Sequence, residues 1–164
     1  MKKRKALITI LIFIFIMFEC TVYAEAVSKK KSKTIICLPI IPREGIYISS
    51  GYGYRIHPIT KERTMHYGID IAAPVGTYVH AIANGKIIMA KGNGTAGNEI
   101  KIKHENGIET RYLHMDKKTV KVGDKVKVGQ IIGTVGDTGR VTGAHLHFEV
   151  IVNGEHINPA KIYN

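Results

Sequence analysis

Between Thr77 and Val152 the chain runs through short segments of β-branched or alternating character, each cut off by glycine, asparagine or aspartate, and none has the period of a helix. The segments are TYVHAIA (Thr77 to Ala83), KIIMA (Lys86 to Ala90), EIKIKH (Glu99 to His104), ETRYLH (Glu109 to His114), QIIGTV (Gln130 to Val135) and HLHFEVIV (His145 to Val152). ANG, ENG and VNG supply turns. The pattern predicts an all-β fold, a single antiparallel domain built as a sandwich or a barrel-like sheet pair.

At 164 residues, with 45% hydrophobic content, the chain can bury one core and is too short for two comfortable ones. Ahead of the β segments, MKKRK and the apolar run Ala6 to Phe18 have the form of a secretory signal, short of the roughly 20 residues of a membrane-spanning helix. VYA, Val22 to Ala24, presents small residues where a signal peptidase reads, and Cys20 lacks the small neighbours of a lipidated cysteine. Residues 1–24 are therefore expected to be a signal peptide, 25–42 (EAVSKKKSKTIICLPIIP) a basic linker and 43–164 the folded domain. The protein is expected outside the membrane or in the cell envelope, with membrane contact only if the signal segment stays uncleaved.

The formal charge of +11 remains strongly basic after loss of Lys2, Lys3, Arg4, Lys5 and Glu19, which points to anionic surroundings such as wall polymers. No nucleic-acid partner is expected, because no recognition motif accompanies the charge and export opposes it. Cleavage would also leave one cysteine, Cys37, which excludes an internal disulfide and a cysteine zinc site. Any metal must then be held by His, Asp and Glu. Oligomeric state is left open by the sequence.

TGAHLHFEV, Thr142 to Val150, places two imidazoles in an apolar run, where each is costly without a partner or a metal. On a strand, His145 and His147 share one face with Cα atoms about 7 Å apart, while Leu146 and Phe148 point to the core. Both rings could reach one ion, or one could bind while the other stands beside it. In HYGID, His66 and Asp70 would lie about 13 Å apart on a straight strand, whereas two zinc ligands come within about 4 Å of each other. The chain must fold back between them, and Gly68 can supply a tight bend. His66 is then expected at a loop's end and Asp70 on the strand that follows. His114, in RYLHMD, is expected where a strand ends and turns toward Lys117 and Lys118. Two neutral histidines and an aspartate would leave zinc an open position suited to activating water, with spare histidines as proton carriers.

SSGYGYRIHP, HYGIDIAAPVGT, ANGKI, ETRYLHM, VKVGDKVKVGQIIGTVGDTG and TGAHLHFEVIVNGEHINP, in this order, resemble the lysostaphin-type zinc endopeptidases that cut peptide cross-links in bacterial peptidoglycan. The resemblance runs from about Ser49 to Pro159. It implies that His66, Asp70 and His147 bind one zinc ion and that His114 and His145 are catalytic. In the implied reaction, water activated at the metal with help from one imidazole attacks a peptide carbonyl, while the other stabilises the oxyanion or protonates the leaving amine. Peptidoglycan peptides are the implied substrate. Arg55 and His57, in YRIHP, lead to the first ligand and are candidate substrate-binding residues. KGNGTAGNEI, Lys91 to Ile100, lacks the P-loop pattern and reads as a cleft wall.

Two rival readings remain. A catalytically silent envelope adaptor could use the same β-domain to hold partner proteins, although all five metal and catalytic positions are filled. VKVGDKVKVGQIIG also resembles the hairpin of biotinyl and lipoyl carriers, but the turn GTVGDTG, Gly133 to Gly139, lacks the lysine that attachment needs.

Overall fold

Alternating burial makes the strand that matters most. Leu146, Phe148 and Val150 are fully buried, while His145 and His147 on the opposite face are half-buried. The computed structural model describes residues 36–56, 59–92 and 94–162, so the signal segment, the linker up to residue 35 and His57 lie outside the described residues.

The described strands, in chain order, are β1 (Tyr47–Ser50), β2 (Gly53–Ile56), β3 (Arg63–His66), β4 (Ile69–Ala72), β5 (Tyr78–His80) and β6 (Gly85–Lys91). They continue with β7 (Asn98–Lys103), β8 (Ile108–Lys118), β9 (Lys125–Val126), β10 (Ile131–Val135), β11 (His145–Val152) and β12 (Glu155–Ile157). A 3-10 turn, Pro159–Ile162, follows. The main sheet has ten strands in the order β1-β4-β11-β8-β7-β6-β9, with β10 bridging β8 and β5 and β12 lying on β11. β2 and β3 form a separate two-stranded sheet. Every pairing is antiparallel, and the described residues contain no α-helix, in agreement with the all-β expectation.

The core lies on one side of β6, β7, β8 and β11, where Ile87, Ile100, Ile102, Tyr112, Leu146 and Phe148 are all fully buried. Burial of each large apolar side chain contributes about 1.5–3 kcal/mol, so this layer dominates the stability. The Tyr112 hydroxyl accepts the Ile82 N–H at 3.2 Å, which lets a polar group sit in the core.

Several segments differ from their sequence expectations, for physical reasons. TYVHAIA is a strand only over Tyr78–His80. Ala81 to Ala83 are buried but bond outward, with the Ala81 N–H on Gln130 O and Ile82 O taking the Cys37 N–H. The chain from Ile36 already packs on the domain: the His80 N–H donates to Pro39 O and Ile40 is 4% exposed. β8 does not end at His114 but continues to Lys118, because Met115 is fully buried and pairs with both Asn98 and Val135. Gly68 does form the expected bend between β3 and β4, without a left-handed backbone. It lies against β11, where a Cβ would meet the Phe148 carbonyl and stand 2.9 Å from His147 Nε2.

Candidate active site

Three elements carry the three expected ligands. His66 closes β3 of the small sheet, Asp70 sits in β4 and His147 in β11, where it pairs directly with Asp70. Tyr67 and Gly68 make the fold-back between the first two. The result is a tight triangle. His66 Nε2 lies 3.0 Å from Asp70 Oδ1, His147 Nδ1 lies 2.8 Å from the same oxygen, and the two ring nitrogens are 2.9 Å apart.

Groups outside the triangle decide what its atoms present. The His66 Nδ1–H donates to Gly51 O at 2.7 Å, so Nε2 turns a lone pair inward when the ring is neutral. The His147 Nε2–H donates to Glu149 Oε1 at 3.1 Å and leaves Nδ1 to face inward. Arg55 holds the outer oxygen of Asp70, Oδ2, at 3.2 Å, and bonds Ser50 Oγ at 2.6 Å. Three electron-rich atoms thus converge on one point, an arrangement that a divalent cation satisfies and that neutral protein groups do not. Among the described residues these three form a group with metal-ligand proximity, their donor atoms all within 4.8 Å of one another.

The electrostatics agree. Burial alone would raise the Asp70 carboxyl, but hydrogen bonds from His147 and His66 outweigh it and hold the group well below the usual carboxylate range. Burial alone would lower His147, but its bonds to Asp70 and Glu149 raise it.

His114 and His145 stand beside the triangle. Their ring centroids are 4.9 Å apart, and His114 is 6.1 Å from His147. His145 donates its Nδ1–H to Gly143 O at 2.8 Å, and its Nε2 is 3.7 Å from Asp70 Oδ1. His114 donates its Nδ1–H to Thr138 O at 2.9 Å, and its Nε2 has no hydrogen-bond partner among the described residues. Burial pushes the His114 ring down to about 4, so it is a neutral base at neutral pH.

The aim of His114 comes from an irregularity in β8. From Asn98 to Ile100, β7 advances two residues while its β8 partners run from Met115 to Tyr112, so β8 carries an extra residue there. His114 sits in this bulge with φ at 61°, a conformation costly for a residue with a side chain. Thr138 locks it from behind: its hydroxyl donates to Met115 O at 2.7 Å and accepts the Asn98 N–H at 2.9 Å.

These groups open onto a cleft of about 650 Å³ whose walls include Arg55, Tyr67, Thr95, Leu113 and Arg140. The structure thus brings together His66, Asp70, His147, His114, His145 and Arg55; His57 lies outside the described residues. Sequence reasoning missed Glu149 and Arg111. Glu149 is 5% exposed, lies 3.6 Å from Arg111 Nη1, and shares the cleft face of β11 with both histidines by the same two-residue spacing. That spacing was the available signal.

Residues 64–159 match the model of peptidase family M23. The chain belongs to this family. It is 47% identical over 108 residues to the peptidoglycan DD-endopeptidase ShyC of Vibrio cholerae, an overlap of 66% of this chain and 25% of that relative. It is 45% identical over 113 residues to the glycyl-glycine endopeptidase ALE-1 of Staphylococcus capitis, covering 68% of this chain and 31% of the relative. A crystal structure of a zinc-containing peptidase from Vibrio cholerae superposes with a TM-score of 0.70 at 40% identity, over 77% of this chain and 39% of the other. The chain therefore spans about a quarter to a third of the length of these curated relatives.

Proposed function

We propose that this protein is a zinc-dependent endopeptidase that hydrolyses peptide cross-links of bacterial peptidoglycan. The observation that carries the reading is the triangle of His66 Nε2, Asp70 Oδ1 and His147 Nδ1, each turned inward by a partner on its outer side. Membership of family M23 and the names of the two relatives supply the reaction class and the substrate.

On this reading His66, Asp70 and His147 hold one zinc ion, which when bound supplies Lewis acidity to the peptide carbonyl and to water. His114, neutral and tied to Thr138 O through Nδ1–H, offers Nε2 to take a proton from water. His145, tied to Gly143 O, offers Nε2 on the same side to stabilise the oxyanion or carry a proton to the leaving amine. Arg55 fixes Asp70 from the cleft wall, and His57 joins the substrate-binding residues. The same reading assigns residues 1–24 to export, 25–42 to a linker and 43–164 to the catalytic domain, in the envelope or outside it. The adaptor alternative gains nothing from the site, whose five positions are all filled.

Metal analysis of the purified protein, followed by digestion of defined peptidoglycan types with and without chelator and mass analysis of the fragments, tests the proposal. New amino termini at the cross-links, abolished by chelator and restored by zinc, are expected. A zinc-loaded protein that leaves every wall type intact would refute it.

A further inference from the structure

The strand pairing puts three lysines in line. Lys103 of β7 is directly opposite Lys86 of β6, and Lys86 is directly opposite Lys125 of β9. Residues directly opposite in antiparallel strands share a face with Cβ atoms about 5 Å apart, and like charges there are destabilising. All three are exposed. None makes an ion pair with a described residue. Two acids of this face have other partners: Glu109, the next position in the row, pairs with Lys101 at 2.6 Å, and Glu99 holds Arg111 and Lys91.

The row belongs to the same sheet face as the candidate site. It continues from Lys103 through Glu109 of β8 to Ile151 of β11, which follows His147 and Glu149 at the two-residue spacing of one face. Strand geometry sets Lys103 four residues along and two strands across from His147, roughly 16 Å away. The three ammonium stems cover about 10 Å across the strands.

We propose that Lys86, Lys103 and Lys125 form a docking row for a linear wall polymer that carries a phosphodiester on each repeat, holding the enzyme on the wall beside its peptide substrate. The partner's location rests on the reading of the chain as a wall hydrolase. A line of three ammonium groups about 10 Å long, with Glu109 at one end, suits a chain more than a membrane plane. β6, β7 and β9 contain no aromatic residue, so the row offers no platform on which nucleic-acid bases could stack.

The test measures binding of the full chain, kept in chelator to prevent hydrolysis, to purified poly(glycerol phosphate), to single-stranded oligothymidine and to vesicles containing phosphatidylglycerol. The triple variant K86Q/K103Q/K125Q is expected to bind the polymer at least tenfold more weakly, with its salt slope reduced by about 2. A control of equal charge, K61Q/K117Q/K161Q, is expected to change binding less than threefold. The row variant should unfold at the same temperature or higher, since like-charge opposition has been removed. If the triple variant does not fold, Lys86→Gln alone is read for a two- to threefold loss. Equal loss in row and control variants overturns the proposal, as does absence of polymer binding or an equal loss toward oligothymidine or vesicles. Cleavage of a soluble cross-linked peptide by the zinc-loaded wild type tests the hydrolase reading separately, and the row variant should match it.

Discussion

Glu149 Oε1 stands 3.1 Å from Nε2 of His147 and so fixes which nitrogen of that ring faces Asp70. The carboxylate is itself buried, with Arg111 Nη1 and His156 Nδ1 each 3.6 Å from one of its oxygens. Glu149→Ala should therefore weaken zinc binding by about 10- to 100-fold, as loss of an outer hydrogen bond to a metal-bound histidine does. Glu149→Gln, which keeps an acceptor, should fall between. Competition with a chromophoric chelator measures this directly, and wild-type affinity in Glu149→Ala would show that the ring is oriented by packing alone.

His114 and His145 are predicted to serve turnover and not metal retention. Each alanine variant should lose about 10²- to 10⁴-fold in kcat while holding zinc normally. Because His114 has φ at 61°, His114→Gly should be more stable than His114→Ala by about 1 kcal/mol, although neither should turn over substrate. Turnover of a cross-linked peptide and metal content of the alanine variants decide the first point, and thermal unfolding decides the second.

Gly68 is predicted to tolerate no side chain. A Cβ there meets the Phe148 carbonyl and comes within 3.0 Å of the His147 ring. Gly68→Ala should cost about 1–3 kcal/mol and at least tenfold in zinc affinity, because His147 must give way. Thermal melts together with metal titration would expose the coupling; a stable variant with intact affinity would contradict it.

His104 should make the fold acid-sensitive away from the cleft. Its Nδ1–H donates to Asn84 O at 2.9 Å, and its Nε2 lies 2.7 Å from the Thr110 hydroxyl. Burial holds its pKa below the ordinary 6.5, so the folded state prefers the neutral ring while the unfolded chain takes up a proton more readily. Its contribution is complete above about pH 6.5 and is lost as pH falls from there. In chelated protein, the drop in Tm between pH 7 and pH 5 should be smaller for His104→Gln than for wild type.

The middle and end of the chain were legible because their strands bury one face. Leu146 and Phe148 are fully buried between His145, His147 and Glu149, which is the alternation the residues display. β1 to β3 were not, because they are short and bury little: Tyr47, Ile48, Tyr54 and Ile56 are all exposed, so hydrophobicity does not report their pairing. The pairing of His66 with Asp70 could be argued from ligand reach, but the bulge that aims His114 could not. It depends on Asn98 and Val135 both pairing with Met115, a relation between distant segments that leaves no local trace. Gly68 was legible as a bend, whereas its close approach to Phe148 and His147, which also demands glycine, was not.

His66 belongs to the two-stranded sheet of β2 and β3, whereas Asp70 and His147 belong to the ten-stranded one. A zinc ion shared by them would be a further rivet between two ribbons already joined by the bonds of Arg55 to Asp70 and Ser50. Such an ion would fasten the hairpin that forms one lip of the cleft to the sheet that carries the other side, so the same contact that activates water would also brace the cleft wall.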